Sequence, residues 1–213
     1  MSIEIWFEFA STYSYLTVSR AEALLRHHAV DFVWRPFLLG PTFRDKGWDT
    51  SPFILDPVKG AYMWRDMERR ARLYDLPFVQ PDPWPMNPIR AARVMTAALD
   101  QPWAGDFARR VFAAQFARSE DISAPTVLGR VLQECGVDPE HWLAQAESDD
   151  VKLRLRQFTD QAGSKGIFGA PSFVVGDELF WGDDRLEDAI AWAASVAAAA
   201  ADVTDTDAEA SAP

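Results

Sequence analysis

Residues 3 to 9 alternate, with Ile3, Ile5, Phe7 and Phe9 on one side and Glu4, Trp6 and Glu8 on the other. A period of two predicts a half-buried β-strand. The hydroxyl-rich turn Ala10-Ser11-Thr12-Tyr13-Ser14 breaks the pattern, after which Leu16, Ala21, Leu24 and Leu25 recur at helical spacing up to His27 and His28. Phe32-Val33-Trp34 predicts a second strand that ends before Pro36. Strand, helix and strand in this order imply a crossover connection and a parallel pair.

The middle of the chain has a different period. Pro57 to Tyr74 is amphipathic, and Pro77 to Pro88 holds five prolines. Asn87-Pro88 reads as an N-cap followed by a first-turn proline, predicting a helix to about Leu99. Trp103 to Arg118 and Ser123 to Cys135 predict two more, the second closed by Gly136; Asp138 and Ser148 read as caps of a further two. No convincing strand falls between about 45 and 163. Strand character returns at Ser172–Val175 and Glu178–Phe180 around the turn dipeptide Gly176-Asp177, which predicts a tight hairpin, and a last helix is expected from about Leu186 to Ala199. Residues 201–213 are acidic and nearly free of large apolar groups, the composition of a disordered tail.

This order of elements predicts an α/β fold with a thioredoxin-like core, a βαβ unit completed by a C-terminal β-hairpin and helix. The core is discontinuous, residues 1–44 and 164–200, around an all-helical insertion at 45–163. In open α/β sheets, ligand sites lie beyond the carboxyl ends of the strands, which points to the turn after the first strand.

Composition narrows the function. The 213 residues carry 21 Lys plus Arg against 32 Asp plus Glu, a net charge of -11, and no basic patch interrupts it. Such a chain repels nucleic-acid phosphates and anionic membranes. Its opening, MSIEIWFEF, has neither a basic region nor a long apolar run, so a cytoplasmic protein without a secretory signal or membrane anchor is expected. The one cysteine, Cys135, excludes an internal disulfide framework and a cysteine-based zinc cluster. It shares an apolar stripe with Leu128, Val131 and Leu132 and reads as structural. His27, His28 and His141 form no metal-ligand spacing, so no metal is expected. The Arg69-Arg70-Arg72 cluster reads as a solvated helix face.

Three segments can carry chemistry. Ser11 sits after the first strand at the mouth of the first helix, where free N–H groups favour an anion. A thioredoxin-like oxidoreductase would carry Cys-x-x-Cys here; Ser11-Thr12-Tyr13-Ser14 excludes dithiol chemistry by the protein itself, and equally reads as a helix cap. A hydroxyl can instead donate to a thiolate brought by a ligand. Gly166-Ile167-Phe168-Gly169-Ala170-Pro171-Ser172 precedes a strand, where proline is tolerated. Trp181-Gly182-Asp183-Asp184-Arg185-Leu186 places paired acids at the start of the last helix, as caps or as a clamp for an ammonium group.

Together, and around a helical insertion, these segments resemble the 2-hydroxychromene-2-carboxylate isomerases and the related kappa-class glutathione transferases of the DsbA-like thioredoxin superfamily. The resemblance runs from Ile3 to about Val196, and GIFGAPSF with FWGDDRLEDAI is its most specific part. Phe9 to Leu16 looks like the family's first motif, usually Ser-Pro-Tyr-Ser, with Thr12 in place of the proline. The resemblance implies that Ser11 contacts the sulfur of glutathione, that Ala170 before Pro171 pairs with its cysteinyl backbone, and that Asp183 and Asp184 hold its γ-glutamyl end. Lys59 matches a lysine near the glycyl carboxylate. Tyr13, Trp48 and Asn87 are the implied residues of the aromatic-substrate pocket; Gly47-Trp48 falls where the family often has Gly-Asn, and Asn87 also reads as a helix cap. The implied activity is isomerisation of an aromatic or conjugated carboxylate with glutathione as an unconsumed cosubstrate, by a homodimer. The alternatives are a kappa-type transferase or peroxidase and a non-catalytic binding protein of the same fold.

Overall fold

The computed structural model describes the backbone of residues 2–209 and the side chains of residues 2–198. Strand β1 (Ile3–Phe7) leads into helix α1 (Thr12–His27) and returns as β2 (Phe32–Pro36), parallel to β1 with Ile5 opposite Trp34. The hairpin β3 (Ser172–Val175) and β4 (Glu178–Trp181) turns at Gly176, whose φ of 61° suits glycine. It adds antiparallel to the other edge of β1, giving the order β2-β1-β3-β4. The fold is the thioredoxin-like one that the order of elements predicts, a mixed four-stranded sheet among many helices.

One expectation for β1 needs correction. Trp6, on the side expected to face solvent, is as fully buried as Ile5 and Phe7. Its ring meets Phe37 and Phe158 edge-on, in a second apolar cluster with Ile167 and Val174 on that face of the sheet. The sheet is therefore covered on both faces, and an aromatic among acids marks the buried position that strict alternation hides.

Between β2 and β3 the described residues form helices only. Short helices α2 (Leu39–Asp45) and α3 (Pro52–Leu55) precede α4 (Pro57–Leu73); then come α5 (Ile89–Ala97), α6 (Ala104–Arg118), α7 (Pro125–Glu134), α8 (Pro139–Gln145) and α9 (Asp149–Ser164). Asp56, Asp138 and Ser148 accept first-turn N–H groups as N-caps. Asn87 is displaced by one position from its expected place. Pro88 occupies the N-cap of α5, and Asn87 Oδ1 accepts from Ile89 N–H at 3.0 Å. Phe107, Phe112 and Phe116 of α6 pack under β1 and α1 in the main core, which joins the helical block to the sheet.

The last helix, α10 (Leu186–Glu209), runs past Ala199, so the tail expected from 201 is helical as far as Glu209. Alanine is the strongest helix former, and the run from Ala197 to Ala201 carries the helix forward where the acidic composition alone suggested a coil. Residues 210–213 of that expected tail lie outside those described.

Candidate active site

The carboxyl end of β1, the mouth of α1, the loop before β3 and the turn after β4 meet at one place. Ser11 is the N-cap of α1: its Oγ accepts from Ser14 N–H at 3.2 Å. The same hydroxyl donates to the carbonyl of Ala170, 2.9 Å away, across the cis Ala170–Pro171 loop. Capping and cross-loop contact are thus both made by one side chain, as its lone pairs and single proton permit. The Thr12 hydroxyl turns into the core to Met63 Sδ at 3.3 Å. Trp84 Nε1 donates to Ala10 O at 3.0 Å and ties the proline-rich loop to the same turn.

Two glycines permit this approach. A Cβ on Gly169 would lie 2.4 Å from Trp181 Nε1, and Gly182, at φ 115°, donates its N–H to Pro171 O at 3.0 Å. The loop before β3 and the turn after β4 are therefore tied to each other.

Asp183 and Asp184 start a short 3-10 turn, Asp183–Arg185, and face different surroundings. Asp183 is 2 % exposed. Its Oδ1 accepts from Thr17 Oγ1 (3.0 Å) and Arg20, and its Oδ2 from Arg70 Nη2 (2.7 Å), Arg70 Nε (3.0 Å) and Tyr74 (3.2 Å). Arg20 also reaches the Asp183 carbonyl and Glu187, and stacks over Tyr74 at 4.3 Å. Burial alone works against the Arg70 charge, but the bond to Asp183 and its field more than offset this and hold the guanidinium above its ordinary pKa. Since α1, α4 and the turn all contribute to this cluster, Asp183 has no acceptor lone pair turned outward for a ligand's ammonium. That corrects the expectation that both acids would clamp it. Asp184, its side chain 57 % exposed at the rim and its Oδ2 3.8 Å from Arg185 Nη2, is the more accessible carboxylate.

Arg70 likewise departs from the solvated role read for its cluster. Arg69 and Arg72 are exposed, but Arg70 shares the face of Met63, Met67 and Tyr74, and that i, i+3, i+4 spacing was the available signal.

In front of Ser11 lies a cavity of about 770 Å3, within the usual ~300–1,000 Å3 of small-molecule sites. One wall is Ala10–Tyr13, Phe168–Ala170 and Trp181–Asp184; the other comes from the helical block, with Arg44, Phe53, Lys59, Trp84 and Met86. Tyr13 lines it, its ring against Phe53 and its hydroxyl donating to Asp66 at 3.0 Å; burial, then the Asp66 charge and bond, raise its pKa. Lys59 is exposed at the edge, with Nζ 5.5 Å from the Phe53 ring. Two expected pocket residues lie outside. Trp48 packs on Phe43 under Lys46, and the exposed Asn87 side chain turns back to its own helix. Their neighbours Phe43, Met86 and Pro88 line the cavity instead. Glu8, 6 % exposed and lining the same cavity, occupies a position that the strand alternation assigns to the polar side.

Comparison with known proteins identifies the family and the fold. The family model of the DSBA-like thioredoxin domain matches residues 2–190. A 2-hydroxychromene-2-carboxylate isomerase from Pseudomonas sp. (strain C18) is 26 % identical over 194 residues, covering 86 % of both chains. Glutathione S-transferase kappa 1 from Rattus norvegicus is 25 % identical over 202 residues, covering 87 % of both. A solved 2-hydroxychromene-2-carboxylate isomerase superposes with a TM-score of 0.78 over the whole of both chains at 23 % identity, a likeness of fold.

Proposed function

We propose, from the premise that the chain belongs to the DSBA-like thioredoxin domain family, that it is a glutathione-dependent isomerase of the 2-hydroxychromene-2-carboxylate isomerase type. The observation that carries this reading is the Ser11 hydroxyl, held at a helix mouth against the carbonyl of Ala170 and opening on a cavity large enough for a tripeptide and an aromatic acid. Identity of about 26 % to three curated isomerases over most of the chain supports the reaction class.

Glutathione supplies a thiol that, once ionised, adds reversibly to a conjugated carbon, so that the former double bond can rotate before the sulfur leaves again. The protein's task is to bind, ionise and orient. The first N–H groups of α1 and the helix dipole favour a negative sulfur at Ser11. When a ligand amide N–H reaches Ala170 O, the Ser11 proton is free to swing from that carbonyl to the sulfur. Asp184 at the rim takes the γ-glutamyl ammonium, and Lys59 the glycyl carboxylate. The aromatic substrate fills the side lined by Phe53, Trp84 and Met86, with Tyr13 fixed by Asp66. We extend the same family reading to a homodimer.

Turnover of a hydroxychromene carboxylate at constant glutathione supports the isomerase. Steady depletion of glutathione replaces it with the kappa-type transferase, the second reading that the relatives favour. Ser11→Ala is expected to lower kcat on the order of 100-fold, as loss of one donor to a developing anion does. Unchanged kcat in that variant, together with no heat of glutathione binding to the wild type, would sink the enzyme reading in favour of a binding protein.

A further inference from the structure

Glu8 is the ionisable group of this site that the proposed chemistry leaves without a task. It directly follows β1, is 6 % exposed, and lines the cavity. Its Oε2 accepts from Ala10 N–H at 2.8 Å, and its backbone carbonyl accepts from Ser11 N–H at 3.0 Å, so the carboxyl is fixed to the turn that carries Ser11. Ser14 Oγ lies 3.5 Å from its amide. Among the described residues, no cation faces it. Arg70 from α4 is bound to Asp183, Asp66 of the same helix to Tyr13, and Lys59 and Arg44 are exposed on the far wall. Burial pushes the carboxyl up to about 8, against a weaker downward pull from the N–H groups of Ala10 and Ser11; no charged side chain contributes. Near neutral pH Glu8 is therefore an acid with a proton to give, in a turn where the Ser11 and Thr12 protons are directed to Ala170 O and Met63 Sδ.

We propose that Glu8 and the sulfur subsite share one negative charge: the carboxyl stays protonated, and donates into the cavity, while a thiolate occupies the mouth of α1, and in alkaline solution it ionises only when the sulfur is neutral or absent. The inference rests on the glutathione reading. Two anions side by side in a partly buried site repel, so the acid and the sulfur titrate as a coupled pair. Only an O–H bond is made or broken, and its proton is exchanged with solvent.

Calorimetry at about pH 9, one unit above the Glu8 midpoint of about 8, in two buffers of different ionisation enthalpy counts the protons taken up per ligand bound. Wild type is expected to exceed Glu8→Gln by about one proton with glutathione, and the two are expected to agree with S-methylglutathione, whose sulfur carries no charge. Equal counts with glutathione overturn the proposal while leaving glutathione binding intact. No binding of either ligand by wild type overturns the glutathione reading, and this inference with it. Carbon NMR of labelled glutamate in the wild-type protein tests the same point without a variant. The Glu8 midpoint must rise with glutathione and stay in place with S-methylglutathione; an unmoved midpoint overturns the proposal.

Discussion

The two walls of the cavity are built differently. On the sheet side, polar groups at the base are tied to other segments: Ser11 to Ala170, Asp183 to α1 and α4, Gly182 to Pro171. On the helical side Arg44 and Lys59 are exposed, Asp66 and Arg70 are bonded to Tyr13 and Asp183 across the cleft, and the remaining surface is aromatic and apolar, with side chains such as Phe53 and Trp84. A wall fixed by directional bonds suits a ligand that never varies, and a wall of apolar surface can be recut for different substrates. Under the proposed function, substitutions on the first side should therefore show up in stability and glutathione binding, and those on the second in the preference for the aromatic partner.

The sharpest test separates the two adjacent acids. Asp183→Ala leaves Arg20 and Arg70 half-buried without their shared counter-ion, and removing one partner of such a group costs about 3–5 kcal/mol, on the order of 10 °C in Tm for a chain this long. Asp184→Ala, at the rim, should leave Tm unchanged and weaken glutathione binding. Equal Tm values for the two variants would erase the distinction between the buried clamp and the more accessible carboxylate.

Glu8 makes the sheet side sensitive to pH. Its folded pKa of about 8 lies above the 4.5 of an exposed glutamate, so the native state binds the extra proton between those values. The stability that goes with the buried neutral acid is complete below about pH 4.5 and is lost as pH rises through about 8, levelling off beyond. In Glu8→Gln this loss disappears. Denaturant melts between pH 5 and 9 should show wild-type stability declining by a few kcal/mol relative to the variant; parallel curves would mean that Glu8 is ionised in the native state.

On the helical side Gly60 is the weak point. A Cβ there would sit 2.2 Å from the Phe53 carbonyl, so Gly60→Ala must part α3 from α4 at about 1–3 kcal/mol. Because Phe53 lines the cavity, KM for the aromatic substrate should rise while that for glutathione holds. A rise in both would show that the walls are mechanically one.

What the chain reveals on reading follows the same division. The βαβ unit, the hairpin and the acidic turn are local, each within a few residues of a period or turn signal, and they put Ser11 at a helix mouth; roles for Ala170 and Asp184 come only from the resemblance to a known family. Arg70 lies 113 positions from Asp183, and nothing local distinguishes it from Arg69 except its place in a helical stripe. Glu8 has the polarity of an exposed strand position and the burial of a core one, a difference made by the cover that the helical block supplies. Lengths of α2 and α3, with few apolar positions each, carry no period to detect.

Asn87 and Trp48 make the finest discrimination. Both were expected in the substrate pocket, and neither lines it. Asn87→Ala should lower stability by under about 1 kcal/mol through the lost first-turn bond to Ile89 N–H. Since no atom of that side chain reaches the cavity, kcat and KM for both substrates should stay at wild-type values, as they should in Trp48→Phe. A selective rise in KM for the aromatic substrate in either variant would mean that the helical wall closes on its ligand by a movement that brings those side chains inward.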